Sequence, residues 1–162
     1  MLNGFAEPDL KPEIIPVGAV RVPLTATLEL MAAGKYDFVS GGFERSVGML
    51  PRVALGGEGD LEVKAIGFGS IASTSQALQA LSTMKLRPLN IRELLAVGVH
   101  FPDLQKMFLM VALGTRFSTS ICERFAFLWG SSSSGSSSRY LCLNATEFKW
   151  PSYARFLVAP AA

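Results

Sequence analysis

The chain has little of what most chemistry is built from. It carries one histidine, His100, and two cysteines, Cys122 and Cys142, in 162 residues. Two cysteines are too few for a disulfide framework. The pair falls on or beside neighbouring expected strands, so both a Cys122–Cys142 bridge and two separate thiols stay open. One histidine and two distant cysteines cannot close a zinc site without carboxylates, so no metal is expected. Any Ser-His or Cys-His mechanism would have to use His100. It lies at an expected helix end beside Phe101-Pro102, with no neighbouring Cys or paired carboxylate, and reads as structural or solvent-facing. The acids Glu7/Asp9, Glu58/Asp60/Glu62 and Glu93/Asp103 are scattered and do not form the pair a glycosidase needs. No catalytic residue and no cofactor is therefore assigned.

Charge of one sign is also lacking. The net charge is only +2, with no Lys/Arg run, so nucleic acid is not an expected partner. No apolar run approaches the roughly 18–20 residues of a membrane-spanning helix. The densest, Met107 to Gly114, suits a buried strand. The N-terminus has no basic region followed by an apolar one, so it reads as no secretory signal, with a cytoplasmic location as the default. Gly67-Phe68-Gly69-Ser70 follows an expected strand, but lacks the third glycine of a dinucleotide fingerprint and the Gly-Lys-Ser/Thr of a P-loop.

What is present is apolar bulk, 49% of the residues, enough for one packed domain. Residues 1–16, with Pro8, Pro12 and Pro16, read as an extended lead-in. Residues 17–113 read as a scaffold of helices and strands. Val17–Val22 is a weak strand. Leu24, Leu28 and Met31 predict a short helix over 24–33, with Pro23 at its start and Gly34 as its stop. Glycine-rich Ser40–Gly59 reads as loop with one short strand near Val53–Leu55. Leu61, Val63 and Ala65 alternate with Glu62 and Lys64 as a strand with one polar face. Ala77, Leu78, Leu81 and Met84 mark a helix that Leu86-Arg87-Pro88 breaks. Asn90 with Glu93 three residues on predicts a capped helix through Val99. A strand over Phe108–Leu113 ends at Gly114, and Thr115–Glu123 reads as loop.

Residues 114–162 form a closing β region, and it holds the candidate surface. Two apolar runs flank the block Ser131–Ser138, which reads as a long hairpin loop. Phe125, Phe127 and Trp129 alternate and point to one face. Leu141 and Leu143 point to the core, which turns Tyr140, Cys142 and Asn144 outward. Trp150 and Tyr153 follow in a proline-containing loop. These aromatics equally suit a core with a Ser/Gly tip. As a recognition surface, Trp129, Tyr140, Phe148 and Tyr153 would be anchors. Ser131, Ser133 and Ser136 of the serine block, with Cys142, Asn144 and Lys149, would supply the rest of the face.

Gly34-Lys35-Tyr36-Asp37-Phe38-Val39, Leu86-Arg87-Pro88 with Glu93-Leu94-Leu95-Ala96, Pro102-Asp103-Leu104-Gln105, Val111-Ala112-Leu113-Gly114 and Trp150…Arg155-Phe156-Leu157-Val158 resemble, in order and spacing, a family of small proteins from uncultured bacterial lineages. The likeness runs from about residue 17 to residue 158 and implies no particular activity. The Arg-Pro helix entry, the strand ending in Leu-Gly, the aromatic hairpin and the final Arg-Phe-Leu-Val strand also resemble the C-type-lectin fold of the formylglycine-generating-enzyme type. That fold carries the variable proteins of diversity-generating retroelements, whose C-terminal segment is hypermutated at adenine-containing codons. Ser131–Ser138 and the alternating Tyr140, Cys142 and Asn144 fit that output. The ending Ala159-Pro160-Ala161-Ala162 and the sequence Met107-Phe108-Leu109 depart from the basic tail and Phe-Pro step of that type. The enzyme branch uses reactive cysteines, and no matching motif surrounds Cys122 or Cys142. The expected fold is thus α+β and C-type-lectin-like: an antiparallel sheet, two main helices and an aromatic-rich C-terminal β region. The resemblance implies non-enzymatic display of a variable surface to a protein or other macromolecular ligand. The second reading is a self-associating subunit, a homo-oligomer whose aromatics pack on another copy.

Overall fold

The computed structural model describes residues 11–24, 26–50, 59–118, 123–133, 136–145 and 149–161. The expected Val53–Leu55 strand, most of the lead-in, Cys122 and Phe148 lie outside them. The chain is α+β, with an eight-stranded, mostly antiparallel sheet. Its elements are β1 (Glu13–Val22), α1 (Thr27–Ala33), β2 (Phe38–Val39), α2 (Phe43–Gly48), β3 (Gly59–Gly67), α3 (Thr74–Thr83), β4 (Leu86–Pro88), α4 (Ile91–His100), α5 (Leu104–Met107), β5 (Leu109–Ser118), β6 (Glu123–Ser133), β7 (Ser136–Ala145) and β8 (Ala154–Pro160). The sheet runs β1-β3-β8-β5-β6-β7-β2, with β4 also on β8. The pairs β5–β8 and β2–β7 are parallel and the others antiparallel.

Alternation along these strands divides the core between two faces. On one, Val63, Ala65, Met110, Leu128, Leu141 and Leu157 meet α1, α2 and α4. On the other, Ile66, Val111, Phe125, Phe156 and Val158 meet Ala77 and Leu81 of α3 and the ring of Trp150. The two longest helices, α3 and α4, each of ten residues, carry reciprocal caps. Ser73 exchanges hydrogen bonds with Gln76, and Asn90 with Glu93. The second cap doubles as an ion pair, because both Glu93 oxygens also accept from Arg87, at 2.8 and 2.7 Å. Helix α4 is buried from Ile91 to Gly98, as a helix sandwiched between a sheet and α1 must be. Each fully buried leucine there, such as Leu94 and Leu95, contributes on the order of 2 kcal/mol.

Several boundaries differ from the sequence reading. The first helix begins at Thr27, beyond Pro23, without a side-chain cap. Part of the glycine-rich stretch is helical, because Phe43 and Val47, four apart, both find the core. Leu86–Pro88 is a strand, β4, whose partner β8 lies some seventy residues further on. Gly114 does not end β5. It sits within the strand where the Leu89 carbonyl accepts its N–H at 2.8 Å, and a Cβ there would lie 2.5 Å from that oxygen. The strand continues because Thr115 and Phe117 turn inward while Arg116 and Ser118 face out. The serine block is also less of a loop than expected. Strand pairing runs on through Ser131↔Ser138 and Ser132↔Ser137 to Ser133↔Ser136.

Candidate ligand-binding site

Where β6, β7 and β2 meet, the face opposite α4 carries a row of aromatic rings. Register places Phe38 against Tyr140 and Tyr140 against Trp129. The Tyr140 and Trp129 rings stack with centroids 4.4 Å apart and planes 22° apart, and the Phe38 ring tilts against Tyr140 at 6.2 Å. The ends of the row are open, Phe38 52% and Trp129 40% exposed. Phe38 stands on a two-residue strand that could not hold its position alone. Its neighbours secure it: Asp37 donates its backbone N–H to the Arg139 carbonyl and accepts the Arg139 N–H on Oδ2, while Ser40 donates to the Leu141 carbonyl.

Further along the same face the row passes into the core. Cys142 pairs with Phe127 and Asn144 with Phe125. Phe127 is half-buried and meets the Trp150 ring edge-on at 5.9 Å, and Phe125 is fully buried. Cys142 is half-buried and has no disulfide partner among the described residues. Leu141, on the opposite face, is fully buried.

Beside Trp129 a cleft of about 390 Å³ opens between α5, β6 and the turn after Trp150. Trp150 and Phe127 lie deep in it, whereas Trp129, Met107 and Tyr153 stand at its exposed rim. Trp150 is fixed by its indole N–H, which donates to Thr74 Oγ1 at 3.0 Å, and by its backbone bridge to Ala72. Lys106 and Asn144 bring polar groups, and Lys106 ion-pairs at 3.0 Å with Asp103, itself an open surface carboxylate. Chemically the lining offers aromatic faces, a thioether, the amides of Gln105 and Asn144 and one ammonium.

A buried polar network supports this corner from below. Gln105 Nε2 donates to the carbonyls of Trp129 and Tyr140, at 2.8 and 3.3 Å. Its Oε1 accepts from Arg139 Nη2, which also donates to the Gly98 carbonyl, while Nη1 donates to the Gly34 carbonyl. The Arg139 guanidinium lies 4.8 Å over the ring of Tyr36, which wedges between Gly34 and Gly98. Burial pushes the Tyr36 phenol up to about 12, against a smaller downward pull from Arg139. The guanidinium stacks on the ring face, and among the described residues the hydroxyl itself has no hydrogen-bond partner.

Of the residues singled out by sequence, Trp129, Asn144 and Tyr153 line the cleft. Tyr140 joins through its stack on Trp129. Ser131 lies two residues further along β6, half-buried, and Lys149 is exposed beside Trp150. The backbones of Ser133 and Ser136 pair with each other at the far end of the hairpin. Phe148 lies outside the described residues. Gln105, Met107, Phe127 and Trp150 were not foreseen as part of the site. Only the shared face of Phe127 and Trp129 gave a signal, since α5 and the Trp150 turn reach the hairpin through tertiary contacts. His100 is exposed and borders a different recess with Arg21 and Val99.

Among the described residues no helix is long and apolar enough to cross a membrane, and no group of three or more His, Cys, Asp or Glu could hold a metal. The chain matches no protein-family model, no curated protein and no solved structure.

Proposed function

We propose that the chain is a non-enzymatic recognition protein that binds a protein ligand through the face formed by Phe38, Tyr140, Trp129 and Tyr153. The observation that carries this is the aromatic row itself: three rings from three strands in contact, with both ends exposed. Exposed aromatics with few rotors, held on a rigid sheet, provide binding energy at low entropic cost. The C-type-lectin-like reading and the variable C-terminal surface of a diversity-generating-retroelement target belong to the same proposal. In its support, β7 separates the two roles by alternation. Leu141 is buried, while Tyr140, Cys142 and Asn144 stand on the other face, none of them fully buried. Substitution of the outward set leaves the Leu141 contacts in place.

The test is the triple replacement Tyr140→Ser, Cys142→Ser, Asn144→Ser. A display surface tolerates it, with a loss of at most about 2 kcal/mol, mostly from the Tyr140–Trp129 stack. A loss beyond about 4 kcal/mol by urea denaturation would make the face core and end this reading. The variable-surface part has its own test in the genome. It expects a reverse transcriptase nearby and a near-copy of the segment encoding 125–158 that differs at adenines, and lack of both removes it. Contact with a second copy through the same exposed rings is the competing use. Sedimentation that stays monomeric across concentrations excludes it.

A further inference from the structure

We infer that the cleft beside the aromatic row seats one aromatic side chain of the ligand, presented next to a carboxylate. This rests on the recognition reading above and specifies the ligand chemistry. Shape is the first ground. The cleft, at about 390 Å³, falls at the small end of ligand pockets. Its exposure is graded, with Trp150 1% exposed at the bottom and Tyr153 65% and Met107 71% at the rim. A ring entering it meets the edges and faces of aromatic walls, and the Met107 thioether can adapt to its outline.

Charge is the second ground. Among the described residues Lys106 is the one charged residue of the lining, and none of their carboxylates lines the cleft. Its stem runs along β6 at Gly130, where a Cβ would come 3.2 Å from Lys106 Cγ. Its partner Asp103 is three residues away on the chain and largely exposed. Such exposed pairs are weak, so the ammonium can exchange Asp103 for a ligand carboxylate at little cost. A cationic ligand finds no compensating acid among the described lining residues. The lining therefore favours ring plus anion over ring alone, and ring alone over ring plus cation.

The molecule carries its own reporters, because its two tryptophans, Trp129 and Trp150, both line the cleft. The experiment titrates 3-phenylpropanoate, 3-phenylpropanamide and 2-phenylethylammonium into the full chain and follows the two indole N–H resonances by ¹H–¹⁵N NMR. The anion should bind saturably with a Kd of about 1–10 mM, as expected for a ligand of this size. The amide should bind about three- to tenfold more weakly, and the ammonium more weakly still. Lys106→Met should erase the ranking while leaving the ring affinity and the Tm in place. Absence of saturable shifts, or a ranking that survives Lys106→Met, overturns the inference. So does binding that appears only after Phe148→Ala, which would mean that the chain fills its own cleft. Concentration-dependent shifts without added ligand would assign the cleft to a second copy and overturn it as well. Failure here leaves the recognition face standing if the triple serine variant folds. Unfolding of that variant ends the recognition reading whatever the small probes do.

Discussion

Replacing Tyr36 by phenylalanine should cost nothing at neutral pH and should remove a defined part of the protein's sensitivity to alkali. The Tyr36 hydroxyl is buried without a hydrogen-bond partner among the described residues. Deleting it therefore removes a desolvated polar atom and breaks no bond, so the change should be neutral or stabilising by up to about 1 kcal/mol. The pH dependence follows from the same burial. The folded phenol is raised from 10.0 to about 12. Between those values the unfolded chain releases the Tyr36 proton and the folded chain keeps it, so stability falls as pH rises. This contribution is complete below about pH 10 and gone above about pH 12, and its size is about 2–3 kcal/mol at 1.36 kcal/mol per unit. Urea denaturation of both proteins from pH 7 to 12 gives the difference directly, since the other titrating groups are common to both. The wild-type minus Tyr36→Phe difference should be flat to about pH 10 and then fall. A flat difference throughout, or a loss above about 1.5 kcal/mol for Tyr36→Phe at pH 7, would refute the reasoning.

The geometry supplies an internal check. A Cβ at Gly98 would overlap the Tyr36 hydroxyl, and the next nearest atoms stand at 3.2 and 3.3 Å. Gly98→Ala should therefore cost about 2 kcal/mol in the wild type, net of alanine's better helix propensity. In the Tyr36→Phe background most of that cost should vanish, a coupling of about 1–2 kcal/mol in a double-mutant cycle.

Gly114→Ala should be among the most damaging small substitutions, by about 3 kcal/mol or more in thermal or urea unfolding. The added methyl meets backbone atoms, Leu89 O at 2.5 Å and Pro88 O at 2.8 Å, which cannot rotate away. Glu93→Ala should cost about 3 kcal/mol, because it removes the carboxylate half of the α4 cap and both charge-assisted bonds to Arg87 together, while Asn90 Oδ1 still accepts the backbone N–H of residue 93. Glu93→Gln should recover part of that loss by keeping an acceptor for the Asn90 N–H. Equal stability of the two Glu93 variants would show that the bond from the Asn90 N–H to the side chain contributes nothing.

The sequence was most legible where one residue's surroundings are set by its near neighbours. The Asn90–Glu93 spacing located a helix start that the structure closes with both hydrogen bonds. The alternation from Tyr140 to Asn144 told the Leu141 side of β7 from its opposite. Legibility failed where a distant strand decides. Leu86–Pro88 contains a proline and follows a helix, so locally it is a breaker. It becomes a strand because β8 offers it an edge. Thr115–Ser118 is polar enough to resemble a loop, and only the burial of Thr115 and Phe117 shows its period of two. Thr115 is drawn inward by a task that no local pattern records, accepting the Ile91 N–H at 3.0 Å.

Trp129 and Trp150 show why the candidate site was harder to read than the fold. Both lie in aromatic stretches near prolines, serines or glycines, and composition gives them equal standing. The difference lies in the sheet order. Strand β8 inserts between β3 and β5, and the segment leading into it bridges to Ala72 before α3. Trp150 is thereby carried under α3 and tied to Thr74. Trp129 sits two strands from β8, on β6, beyond Phe127 and at the edge of that packed cluster. The cleft forms where the covered and uncovered parts of one face meet, with a structural tryptophan as its floor and a contact tryptophan as its wall. Its walls come from α5, β6 and the turn before β8, and the buried Gln105–Arg139 network ties α5 to the hairpin from below. A site assembled in this way depends on the packing between elements, which is why the hairpin alone showed its outward residues but not the recess they border.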